Sequence, residues 1–160
     1  MMGSVIVIGY GNDLRSDDAI GQRVANTLAL PNVKSLAVHQ LTPELAQTLA
    51  SADLAIFIDA CIIAYDSEVK VRSLAPASST VRTGHTGDPS SLLALTKAIY
   101  GHCPQAWWIT VPGVNFEVGD RLSPIAETGV AIALEKIAQI VDESATTHAT
   151  VSERNSRKCF

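Results

Sequence analysis

The sequence has little of what a disulfide-linked, nucleic-acid-binding or membrane-spanning protein needs. Its 160 residues include three cysteines, an odd number that is typical of a reducing compartment. Twelve Lys and Arg against 16 Asp and Glu give a net charge of −4, which does not favour a phosphate backbone as a partner. Apolar runs such as Ser4 to Ile8 and Leu54 to Ile58 are far shorter than the roughly 20 residues that span a bilayer. We predict a cytoplasmic protein that binds neither nucleic acid nor membrane.

Several common catalytic and nucleotide-binding motifs are also missing. Gly9-Tyr10-Gly11 resembles the start of a dinucleotide fingerprint, but Leu14 stands where the third glycine is needed. After the second predicted strand, His39-Gln40 stands where that fingerprint needs an acid. The chain contains no G-x-x-x-x-G-K-[ST], G-x-S-x-G, H-E-x-x-H or C-x-x-C pattern. A Rossmann cofactor site, a P-loop and a serine nucleophile elbow are therefore not expected.

What is present is the alternation of strands and helices of an α/β domain. The composition is 47% hydrophobic, which is typical of one domain with a substantial core. Short apolar runs predict strands, and Pro directly after a capping residue predicts helix starts. We predict a single domain with three α/β/α layers and a mainly parallel twisted sheet. The predicted strands are Ser4–Ile8, Val33–Val38, Leu54–Asp59 and Trp107–Val111, with Val69–Leu74 as an edge hairpin, and helices start at Ser16, Thr42-Pro43, Asp88-Pro89 and Ser123-Pro124.

The apolar periodicity stops near residue 143. From Ser144 onward the sequence is SATTHATVSERNSRKCF, in which no helical or strand spacing of apolar residues is visible. We therefore predict a domain over residues 1–143 and a disordered, dispensable tail over residues 144–160.

Polar side chains follow three of the predicted strands. Asp17 and Asp18 lie in the first turn of a helix, where acids also complement the helix dipole. Asp59 ends a buried strand, where a carboxylate is costly unless it is paired or bound to a cation. His85 lies in a glycine-flanked loop, where a histidine can equally be a plain surface residue. Since the carboxyl ends of parallel strands meet at one edge of a sheet, two carboxylates and one imidazole there predict a divalent transition-metal site.

Residues 9–21, GYGNDLRSDDAIG, carry every fixed position of a known signature. They resemble the G-x-G-N-x-L-x-x-D-[DE]-x-x-G motif of the [NiFe]-hydrogenase maturation endopeptidases. The resemblance extends through Asp59 and His85 and covers roughly residues 4–142. It implies removal of a C-terminal extension from the hydrogenase large-subunit precursor after nickel insertion. Asp18, Asp59 and His85 would then be both the metal ligands and the catalytic residues, with Asp18 standing where many members have Glu.

The resemblance also implies a partner and a use of metal. The partner would be the large-subunit precursor, whose nickel would serve for recognition, and we expect no tightly bound resident cofactor and a monomeric enzyme. The segments 39–45 (HQLTPEL) and 112–116 (PGVNF) look most like the subgroup that serves bidirectional, NAD(P)-linked hydrogenases.

Two questions stay open at the level of sequence. The attack on the scissile bond could use water on a metal-polarised carbonyl or a carboxylate-assisted route. The same three ligands would also suit a nickel-binding chaperone or sensor that cuts nothing, or an unrelated metal-dependent hydrolase.

Overall fold

The computed structural model describes the backbone of residues 3–64, 67–78 and 87–157, and their side chains as far as residue 147. Within these residues the chain forms five strands and four helices, with one turn of 3₁₀ helix at Ser16–Ala19. In chain order the elements are β1 (Val5–Tyr10), α1 (Ile20–Thr27), β2 (Val33–Val38), α2 (Leu45–Ala50), β3 (Leu54–Ile62), β4 (Lys70–Leu74), α3 (Pro89–Tyr100), β5 (Gln105–Gly113) and α4 (Pro124–Arg157).

The five strands form one sheet in the order β2-β1-β3-β5-β4. All neighbouring pairs are parallel except β4 and β5, which are antiparallel. The chain leaves β1 toward β2 on one side and later returns to place β3 on the other side. The carboxyl ends of β1 and β3 therefore border the point where strand order reverses, which is where ligands bind in open α/β sheets.

Helices cover both faces of the sheet, as a three-layer architecture requires. One core packs α1 and α4 against the sheet, with fully buried Ile20 and Ile137 from these two helices. The opposite core packs α2 and α3 on the other face, with Leu49 and Leu93 fully buried. The predicted single α/β domain with a mainly parallel sheet is confirmed.

The limits of four predicted strands and one predicted pairing differ in the structure. β1 is Val5–Tyr10 rather than Ser4–Ile8, and β4 begins at Lys70 rather than Val69. β3 continues three residues beyond Asp59 to Ile62, so Asp59 lies within the strand. β5 continues through Pro112, which lies beyond the last β4 pair, so proline removes no hydrogen bond to β4 there. β4 is an edge strand, as predicted, but β5 separates it from β3, so the two do not form a hairpin.

α4 does not end at residue 143, where the sequence analysis places the domain boundary. Its backbone is helical to Arg157, and the hydroxyls of Thr146 and Thr147 bond to carbonyls one turn earlier, at 3.0 and 2.9 Å. The loss of apolar periodicity does not end the helix, because an existing helix extends at low cost when each added residue gains a hydrogen bond. Among the described residues, neither α4 nor any other helix is long and apolar enough to span a membrane.

Two glycines of the signature let α1 lie directly on the sheet. A Cβ on Gly21 would lie 2.5 Å from the carbonyl oxygens of both Ile58 and Tyr10. A Cβ on Gly9 would likewise collide with the Gly21 carbonyl. The spacing of these glycines in sequence therefore reflects contact between the backbones of β1, β3 and α1.

We expect Gly21→Ala to destabilise the fold by about 2–3 kcal/mol, because the obstructing atoms are backbone and cannot rotate away. This sign is opposite to that of helix propensity, which favours Ala over Gly by about 1 kcal/mol. Gly87→Ala is the matched control, since a Cβ there meets nothing within 4 Å. Chemical denaturation measures both, and a Gly21→Ala protein as stable as the control would contradict the close approach.

Candidate functional site

The site is built on β1 and β3, at the reversal of strand order. Gly9 pairs with Ile58, so the next residue of each strand, Tyr10 and Asp59, stand side by side. Tyr10 belongs to the core on the α2 and α3 face, together with Phe57 two residues before Asp59. Because side chains alternate along a strand, Asp59 also points to that face.

Asp59 is a half-buried carboxylate whose proton affinity is increased. Its pKa is raised to about 6, mainly by burial and further by the negative charge of Asp18. Hydrogen bonds from the Tyr10 hydroxyl and the Ala60 N–H partly offset that rise. Asp18 and Asp59 are therefore close enough to interact, and a cation between them would relieve the repulsion.

The carboxylate of Asp18 is held by the loop that follows β1. Its Oδ2 accepts a hydrogen bond of 2.9 Å from the backbone N–H of Asn12. Gly11 has φ of 145° and lies against the Asp18 carbonyl, so a side chain at residue 11 would be both strained and obstructed. Gly11 and Asn12 of the signature thus fix the position of Asp18.

Asp17 has a structural role that the sequence analysis did not distinguish from a helix-dipole acid. Its side chain is fully buried and its carboxylate accepts four hydrogen bonds. They come from the N–H groups of Val114, Asn115 and Ser123 and from the Ser123 hydroxyl, at 2.7–3.1 Å. Burial alone would raise the pKa of Asp17, but these bonds, led by those from Ser123, hold it below its usual value.

Backbone hydrogen bonds also join the segment that contains Asp17 to the loop between β5 and α4. Ser16 N–H donates to the Gly119 carbonyl at 2.9 Å, and Gly119 N–H donates to the Leu14 carbonyl at 2.9 Å. The Ser16 hydroxyl reaches the carbonyl of Glu117 at 2.8 Å. Ser16 itself has φ of 52°, a conformation that these bonds hold in place. The loop between β5 and α4 is therefore the support on which the Asp18 segment rests.

His85, the third predicted ligand, lies outside the described residues. Among the residues that are described, no three His, Cys, Asp or Glu side chains are grouped closely enough to hold a metal. Asp88, three residues after His85, caps α3 by accepting a 3.1 Å hydrogen bond from the Ser90 N–H. Its charge also acts on the Tyr10 hydroxyl, so the start of α3 lies at the same edge of the sheet as Asp59. The ligand set of Asp18, Asp59 and His85 stays a prediction.

Two other histidines have no part in the predicted ligand set, and one residue at the site, Tyr10, was not predicted from the sequence. His39 is exposed, and the His102 ring bonds to the Ala50 carbonyl at 2.6 Å. Tyr10 was not among the predicted site residues. The sequence feature that could have identified Tyr10 is a bulky side chain with a polar hydroxyl, placed between two glycines at the end of a buried strand.

The fold defines a class of proteins that includes solved hydrogenase maturation proteases. The hydrogenase maturating endopeptidase HybD from E. coli superposes with a TM-score of 0.71 at 23% identity, over 90% of this chain and 94% of that one. The [NiFe] hydrogenase maturation protease HybD from Thermococcus kodakarensis gives 0.68 at 21%, over 88% and 99%. HycI from the same organism gives 0.62 at 20%, over 88% and 94%.

These likenesses establish the fold over nearly the whole chain. No protein-family model matches the sequence, and no curated protein matches it either. The resemblance in residues 9–21 and the resemblance in fold are therefore two separate observations, one of side chains and one of backbone.

We expect Asp17→Asn to lower the free energy of unfolding by about 2–4 kcal/mol at pH 7, because an amide NH₂ would face the donors that now bond to the carboxylate. The folded pKa of Asp17 is depressed, so its contribution is complete above the unfolded value of about 3.9 and disappears as the pH falls through the folded one. The stability difference should therefore shrink in acid. Exposed Asp13→Asn is the control. If Asp17→Asn lost no more unfolding free energy than this control, the structural role of the Asp17 carboxylate would be contradicted.

For Asp59, replacement by Asn is expected to change the free energy of unfolding in the opposite direction. Its folded pKa of about 6 lies above the unfolded value of about 3.9, so ionisation destabilises the fold as the pH rises through this range. We expect Asp59→Asn to be more stable than the wild type by about 1–3 kcal/mol at pH 8 and to show no such gain at pH 4. Denaturation of the metal-free protein at both pH values measures this, with exposed Asp142→Asn as the control. A gain in stability that does not depend on pH would contradict the raised pKa of Asp59.

Proposed function

We propose that the protein is an endopeptidase that removes the C-terminal extension of a [NiFe]-hydrogenase large-subunit precursor after nickel insertion. The observation that carries the proposal is the placement of Asp18 and Asp59 together, at the reversal of strand order, in the fold of solved hydrogenase maturation endopeptidases. The activity is supported by the resemblance of residues 9–21 to the signature of those enzymes.

The chemistry of the two carboxylates suits the recognition of nickel that the substrate already holds. Carboxylate oxygens and an imidazole nitrogen are ligands for divalent transition metals, and without a thiolate they form an open set of modest affinity. Without a metal, burial raises the pKa of Asp59 to about 6, and a cation beside the carboxylate would lower that pKa by favouring the ionised form. In this proposal Asp18, Asp59 and His85 contact the nickel of the precursor, and a precursor without nickel binds poorly.

The support of Asp18 fits this role. A carboxylate that must meet a metal seated in another protein needs a fixed position before binding, and Asp18 is held by the Asn12 N–H and by the anchor of its neighbour Asp17. Polar groups around a site that are already oriented lose little entropy on binding.

The finer assignments rest on two segments at the carboxyl edge of the sheet. Residues 39–45 follow β2, and residues 112–116 end β5 and supply two of the donors to Asp17. Their likeness to the bidirectional subgroup favours the precursor of a bidirectional, NAD(P)-linked hydrogenase as the substrate. We further propose that the enzyme acts as a monomer in the cytoplasm.

The test is incubation with nickel-loaded precursor, followed by intact-mass measurement of the precursor. We expect a mass loss that equals one C-terminal peptide. His85→Ala and Asp59→Asn should reduce the rate of processing by at least about a hundredfold, because each removes a metal contact. The matched controls His102→Ala and Asp142→Asn should process normally. A precursor without nickel should not be cut.

Three outcomes separate the alternatives. Binding of loaded precursor without any mass loss would identify a chaperone or sensor. Cleavage that is lost on chelation of the enzyme alone and restored by zinc would identify a resident-metal hydrolase. Normal cleavage by His85→Ala and Asp59→Asn would contradict the ligand assignment while leaving peptidase activity intact.

A further inference from the structure

Tyr10 occupies one of the positions of the signature that are free to vary, between Gly9 and Gly11. Despite this freedom, its side chain is buried, with 8% of its surface exposed. It is the last residue of β1 and packs in the core between the sheet and α2 and α3. A phenol buried at the edge of a site needs a partner for its hydroxyl.

That partner is Asp59. The register of β1 and β3 places the two residues side by side on one face of the sheet, and the Tyr10 hydroxyl is hydrogen-bonded to the Asp59 carboxylate. The bond joins the end of one central strand to the side chain of its neighbour. It is a contact that this chain makes through a residue the signature does not specify.

Trp108 is a second neighbour of the Tyr10 hydroxyl. Phe57 pairs with Trp108 across β3 and β5, and both belong to the core that contains Tyr10. The Trp108 Nε1 is buried near the Tyr10 hydroxyl and, among the described residues, has no acceptor in normal hydrogen-bond geometry. An ionised carboxylate can only accept hydrogen bonds, so the Tyr10 hydroxyl is the donor and Asp59 the acceptor.

We propose that Tyr10 is a positioning residue that fixes the Asp59 carboxylate for metal contact. The terminal torsion of an aspartate is broad, so a carboxylate without a fixed partner samples many orientations. A hydroxyl that holds one oxygen of the carboxylate leaves the other oxygen in a defined place. This inference rests on the proposed function, since it requires Asp59 to bind the metal.

The test is titration of the metal-free enzyme with Co²⁺ alone, monitored by its visible absorption bands. Tyr10→Phe removes one oxygen and retains the ring, and we expect it to weaken Co²⁺ binding by about 10–100-fold, the usual effect of losing a group that orients a ligand. The absorption bands should also change, because the carboxylate is no longer held in one orientation. Tyr100→Phe, at a half-exposed tyrosine that ends α3, is the matched control and should bind Co²⁺ as the wild type does.

The outcomes distinguish the two proposals. Unchanged affinity and bands in Tyr10→Phe, with a wild type that binds Co²⁺, would overturn the positioning role alone. A wild type that binds no Co²⁺ even at millimolar concentration would overturn this inference, whereas the ligand assignment itself is tested separately by the processing of nickel-loaded precursor. A Tyr10→Phe protein that no longer folds would also overturn the inference, because the hydroxyl would then be needed for the fold itself.

Discussion

The buried carboxylate of Asp17 is the interaction on which the site depends. An unpaired charge in the interior costs several kcal/mol, so the fold must supply donors to it. It does so with three backbone N–H groups and one hydroxyl from a single loop, between β5 and α4. The loop and the 3₁₀ turn therefore have only one arrangement in which the charge is satisfied. Asp18, the next residue, is placed by that arrangement together with the Asn12 N–H.

A second constraint is the space between backbones. Gly9 and Gly21 allow α1 to lie on β1 and β3, and Gly11 allows the following loop to turn back over Asp18. The signature thus combines three features: close approach of backbones, the buried carboxylate of Asp17 and the half-buried carboxylate of Asp18. Only Asp18 is proposed to contact a metal. The fixed glycines and Asp17 hold the backbone in the position from which Asp18 can act.

Much of the architecture follows from local patterns in the sequence. The limits of β2 are as predicted, and the Asp88-Pro89 and Ser123-Pro124 pairs do begin helices, because caps and fixed φ values act within a few residues. What could not be predicted depends on distant parts of the chain. The position of β5 between β3 and β4 is one such case, and the donors to Asp17 are another, since they lie 97 to 106 residues further along. The expectation that Asp18 and Asp59 lie near one edge of the sheet comes from the parallel strand order, and the charge of Asp18 does act on Asp59.

That separation along the chain has a consequence for synthesis. A ribosome has made the whole signature, β1 and α1 long before it reaches Ser123, so the nascent chain carries an Asp17 without its donors. In that state the Asp17 carboxylate is more stable in solvent than in a buried position. The bonds that hold Ser16 at its positive φ in the folded protein are also absent. Contacts of such long range form late and slowly, since loop closure must come first. The segment that carries Asp18 is therefore assembled only after the start of α4 has emerged, and a chain released earlier would display the complete motif without a fixed site.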